Sequence, residues 1–89
     1  MARTLLMGTQ EACTAATGTA KSFTEAAVVR LFNSNSSPQL VTVVETQGGS
    51  VVGTFTLPAL TVEFLEKKPT HCVFAASTDV LGAKVGFTG

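Results

Sequence analysis

Tryptophan and tyrosine are absent from this chain of 89 residues, and charge is scarce. Asp, Glu, Lys and Arg make up 13% of it, about half the usual ~25%. Each gap closes off a class of function. Sugar sites favour flat aromatic platforms with a polar edge, so a glycan- or host-binding module is disfavoured. Six basic residues balance six acidic ones, and they are scattered. Lys67-Lys68 is the one basic pair, flanked by Glu66. Binding to a phosphate backbone draws on several clustered Lys and Arg, so nucleic acid is not the expected ligand. The opening MARTLLMG falls short of the ~7–15 apolar residues of a signal-peptide core. No run approaches the ~18–20 apolar residues of a membrane helix. The expectation is a chain made in a cytoplasm, with no membrane partner.

Catalytic groups are equally sparse. The chain holds one His, His71, one Asp, Asp79, and two Cys, Cys13 and Cys72. Nucleophilic catalysis needs a nucleophile, a base and an orienting group. His71 and Cys72 are adjacent, and adjacent strand residues point to opposite faces. A metal site needs three or four converging ligands, and no CxxC or HxxxH spacing supplies them. Glu63 and Glu66 also fall on opposite faces of a strand and read as solvated charges. Gly48-Gly49 lies between two strand patterns, so it suits a hairpin and not a phosphate cradle. No enzyme, cofactor or metal is expected. Cys13 and Cys72 could form a disulfide, but buried free thiols are the simpler reading.

What the chain does have is alternation. Val and Thr are abundant, and β-branched residues favour strands. Val51–Leu57 and Leu60–Lys67 alternate apolar and polar about a break at Pro58-Ala59, with Leu57, Leu60, Val62 and Phe64 as the expected core. Ala26–Phe32 alternates with apolar residues on both faces: Ala27, Val29 and Leu31 on one, Val28, Arg30 and Phe32 on the other. Such a strand is central or faces a partner. Leu40–Thr46 and Val51–Leu57 flank the turn Gln47–Ser50, and Leu60–Lys67 would follow as the next strand of a meander. Asn33–Pro38 is a loop. Thr4–Met7 suits an edge strand, His71–Ala75 a strand or one helical turn, and Ala83–Thr88 a last strand. Gly82 and Gly86 suit a bulge or a close backbone approach. Thr9–Ser22 is small, Thr- and Ala-rich, and reads as an extended arm or long loop. The expectation is all-β: a small antiparallel sandwich or barrel of six to seven short strands, with an N-terminal arm over 1–22 and one β domain over 23–89.

Three segments, VVRLFN (Val28–Asn33), TFTLPALTVEFLEKKP (Thr54–Pro69) and VLGAKVGFTG (Val80–Gly89), together resemble small β-rich structural proteins of tailed-bacteriophage virions, especially marine ones. The resemblance covers roughly the last two-thirds of the chain. It implies a non-enzymatic virion component made in the bacterial host, most simply a decoration or cement protein of the capsid. The alternatives are a neck, tail or fibre-base subunit. It also implies the major capsid protein or other virion proteins as partners, and a homo-oligomer, a trimer above other orders. On that footing three places would make contacts. Thr14, Thr17 and Thr19 belong to the arm, Arg30 and Phe32 to the two-sided strand, and Glu66, Lys67 and Lys68 to the charged corner.

Overall fold

The alternating segments fold as strands. A computed structural model describes residues 3–88; Met1, Ala2 and Gly89, parts of the arm and of the last resembling segment, lie outside them. The strands are β1 (Arg3–Leu6), β2 (Glu11–Ala12), β3 (Val28–Asn33), β4 (Gln39–Val44), β5 (Val51–Leu57), β6 (Val62–Glu66), β7 (Cys72–Ala75) and β8 (Val80–Thr88). One 3-10 turn, Thr17–Thr19, interrupts them. All ladders are antiparallel. The strands make two sheets. Sheet A runs β1-β8-β3-β6, with β2 also on β8, and sheet B runs β5-β4-β7. Packed together they are a small β-sandwich, one strand richer than expected through the two-residue β2.

The core lies between the sheets. From sheet A come Val29, Leu31 and Val80; from sheet B come Val41, Val43, Leu57, Val73 and Ala75; Cys13, Phe23 and Ala26 complete it. Burial of each large apolar side chain contributes about 1.5–3 kcal/mol. The β4–β5 hairpin forms where expected. Gly49 N–H donates to Thr46 O at 2.9 Å, and a Cβ on Gly49 would sit 2.6 Å from Thr46 Oγ1. Gly82 is a close approach too: a Cβ there would lie 2.6 Å from Cζ of Phe23.

The meander does not continue past β5. β6 crosses to sheet A and pairs with β3, Val29 opposite Leu65 and Arg30 opposite Phe64. The crossing inverts the expected phase. Leu65 packs against the core, while Val62 and Phe64 stay 39% and 42% exposed. Leu60, expected inside, is 64% exposed and takes a left-handed conformation (φ 57°) in the crossing turn. Of the four expected core residues of this stretch, only Leu57 is buried.

Thr9–Ser22 lies against the domain's own strands and seams one side of the sandwich. β2 and Cys13 pair with the edge of β8, and Cys13 N–H donates to Val80 O at 2.7 Å. Farther along, Thr14 O accepts from Ala75 N–H, and Lys21 and Val73 exchange two backbone bonds at 2.8–2.9 Å. One short segment thus covers the edges of β8 and β7. Ala20 seals Val44, Cys72 and Phe74 beneath it. The opposite side, where β5 and β6 run as edges, has no such cover.

The far end is held by Asn33, fully buried. Its amide donates to the carbonyls of Ser37 (3.0 Å), Leu57 (3.0 Å) and Pro58 (3.3 Å), and its Oδ1 accepts from Asn35 N–H. Ser34 and Asn35 in turn reach Asp79. One side chain therefore joins β3 to the β5–β6 crossing. Entry into β3 is by a left-handed turn, with Phe23, Thr24 and Glu25 at φ 56°, 59° and 52°. Such residues cost about 1–2 kcal/mol each, offset by the burial of Phe23.

Two stability changes are expected, both read by chemical denaturation. Asn33→Ala removes the buried bond to Leu57 O and the part-buried ones beside it, and lowers unfolding free energy by about 1–3 kcal/mol. Thr24→Gly relieves the left-handed strain and raises it by up to about 1 kcal/mol.

Candidate functional site

Leu40, Val51 and Val52 are exposed on sheet B, but the larger gathering of exposed apolar side chains, Leu6, Val62, Phe64 and Phe87, is on the outer face of sheet A. Directly paired residues share a face, so the registers define it. Val28, Arg30 and Phe32 of β3 lie with Val85, Ala83 and Leu81 of β8. On one flank stand Val62, Phe64 and Glu66 of β6. On the other, Thr4 pairs with Phe87 and Leu6 with Val85. The central members Ala83 and Val85 are each 3% exposed, shielded by their neighbours. The outlying Leu6 and Phe87 are 68% and 50% exposed. Phe64 and Phe87 meet edge to face, ring centroids 5.3 Å apart at 64°. Between β1, β2 and β3 the small Ala83 floors a depression that Arg30, Thr4 and Leu6 line.

This face follows from the sequence of β3 and β8. β3 is largely apolar in both phases, so one set fills the core and the other faces outward; β8 sends Leu81, Ala83, Val85 and Phe87 outward, while its inward phase is Val80, Gly82, Lys84, Gly86 and Thr88. Contiguous apolar patches larger than a few hundred Å² are uncommon on monomers and mark interaction sites. The two-sided pattern of Ala26–Phe32 pointed here. Leu6 and Phe87 were not among the expected contact residues and Phe64 was expected inside, because the phase of β6 depends on its crossing to sheet A and the place of β1 on its pairing with β8.

The other singled-out residues are dispersed. In the seam, Thr14 Oγ1 donates to Thr19 O at 3.0 Å and Thr19 Oγ1 to Ala16 O at 3.3 Å. Both hydroxyls are engaged in holding the local turn. Thr17 is exposed, and its carbonyl accepts from Gly48 N–H at the hairpin tip. The charged corner divides. Glu66 lies on the apolar face and Lys68 is exposed, but Lys67 is buried at 8% exposure. Its ammonium donates to Ala26 O (2.7 Å), Pro69 O (3.3 Å) and Lys68 O (3.4 Å). Burial holds its pKa below the ordinary lysine value, the main cause being lost hydration. Lys67 thus ties the end of β6 to the start of β3, and the expectation of a partner contact through it gives way to this internal role.

His71 and Cys72 do not converge with Asp79. Cys72 packs in the satellite cluster with Ala20 and Val44, while the carboxylate of Asp79 accepts from Asn35 Nδ2 at 2.9 Å. Cys13 and Cys72 are free and buried. Burial pushes the Cys13 thiol up to about 11, against a small opposing pull from Lys21. No group of three or more His, Cys, Asp or Glu among the described residues could hold a metal. Among the described residues no helix is long and apolar enough to cross a membrane.

The two adjacent lysines are expected to behave differently under denaturant. Lys67→Met orphans Ala26 O and lowers unfolding free energy by about 1–3 kcal/mol, whereas Lys68→Met stays within about 0.5 kcal/mol of the parent.

No protein-family model matches this chain, and neither a curated protein nor a solved structure matches it significantly.

Proposed function

We propose that the protein is a non-enzymatic structural component of a tailed-bacteriophage virion, a decoration or cement protein that stabilises the capsid. The observation that carries the contact role is the outer face of sheet A, largely apolar across four strands, with Leu6, Val62, Phe64 and Phe87 exposed around its buried centre. A protein that works by area and shape needs such a face and needs no titrating centre. The virion setting is supported by the sequence resemblance of Val28–Asn33, Thr54–Pro69 and Val80–Gly89. Low charge, β content and small size accord with it. The surface offered to other virion proteins includes Lys68 and Thr17, which are exposed.

Co-sedimentation with assembled capsid shells of the phage that carries the gene tests this reading. The purified protein is expected to bind saturably, with many copies per shell, and to raise the temperature at which shells come apart. Failure to bind, together with its absence from purified virions by mass spectrometry, would overturn it. A few copies per particle, matching the ring symmetry of a neck or tail, would move the protein from the shell to those parts.

A further inference from the structure

The outer face of sheet A carries one charge of each sign. Arg30 stands opposite Phe64, and Glu66 opposite Val28, so the two charges are diagonal neighbours. The nearby charges belong elsewhere: Glu63 pairs with Leu31 and Lys84 with Val29, both on the core-facing side. Lys84 is turned inward, its ammonium donating to Thr24 O at 3.2 Å. Among the described residues the sole ion pair is Lys21–Glu11 at 3.7 Å. Arg30 and Glu66 therefore lie on an apolar face without an ion pair to each other or to any other described residue.

We propose that this face is covered by a second copy of the chain, related by a two-fold axis near Phe64. Arg30 of each copy then meets Glu66 of the other, on either side of a centre made by Phe64 and Phe87. A two-fold contact brings the same surface from both subunits together, so the surface must complement itself. One positive and one negative charge, set to either side of the aromatic pair, meet that condition. A polyanion or an anionic bilayer would leave Glu66 opposed to like charge in a desolvated contact, which disfavours such partners. The edge-to-face rings supply what interface centres favour, well-packed aromatic side chains fringed by polar groups. This inference names the occupant of the contact face and rests on the reading that the protein acts through that face.

Charge reversal tests it. Sedimentation equilibrium over a concentration series is run on the parent, Arg30→Glu, Glu66→Arg and the double reversal, with circular dichroism to verify folding. The parent is expected to dimerise. Each single reversal sets like charges together and weakens the dimer about tenfold or more; the double reversal restores it. Phe64→Ser, at an exposed position that the core does not use, weakens the dimer with the fold intact and serves if a charge variant fails to fold. A parent that stays monomeric throughout, a dimer indifferent to these changes, or a folded double variant that remains weak would each overturn the proposal. Shell binding is measured on the same samples. Dimers that ignore shells leave the pairing standing and remove the decoration reading; shell binding by a monomer removes the pairing and keeps that reading.

Discussion

The layer count constrains this molecule. A strand that is apolar on both faces must be covered on both, and a chain of 89 residues builds only two layers here. Sheet B covers the inner face of sheet A. Among the described residues no third layer lies over the outer one, because the remaining segments run along the edges. The exposed outer side chains of β1, β6 and β8 are the direct result. A surface of this kind and a core are made by the same residues in opposite phase.

The rest of the fold holds that face flat and in place. Glu11 to Lys21 stitches β8 to β7 by backbone bonds, so the two sheets share a closed side. Asn33 joins β3 to the crossing between β5 and β6, and Lys67 joins the end of β6 to the approach to β3. These buried polar groups are satisfied by carbonyls, and no buried side-chain nitrogen or oxygen among the described residues lacks a partner. Such networks favour one arrangement, since a half-satisfied alternative leaves polar groups stranded. They hold β3 and β6 in the register that puts Arg30, Phe64 and Glu66 on one surface.

Much of the fold was legible in the residues, for physical reasons that also mark where legibility ended. Val51–Leu57 was readable because alternation, a glycine turn and a proline stop agree. Ala26–Phe32 was readable as two-sided. Phe64 was misplaced because alternation shows which residues share a face but not which face is inside. That choice was made by the crossing turn, where Leu60 adopts a left-handed conformation no pattern announces. The seam was hard to see for a different reason. Its cohesion is backbone pairing with distant edges, and small residues such as Ala12 and Ala20 carry little side-chain signal. Lys67 looked like surface charge because three carbonyl partners, the farthest in sequence at Ala26, cannot be read from its neighbours. The functional setting came from resemblance of segments, and the contact face from the structure.

The central claim is that the outer face of sheet A is a contact surface shared with another copy. Hydroxyl-radical footprinting of Phe64 and Phe87 across a protein concentration series addresses it most directly, with Leu40 and Val51 of sheet B as internal references. The account predicts that Phe64 and Phe87 lose reactivity together as concentration rises, while Leu40 and Val51 keep theirs. Phenylalanines that remain equally reactive at every concentration, or protection that develops on sheet B instead, would contradict it.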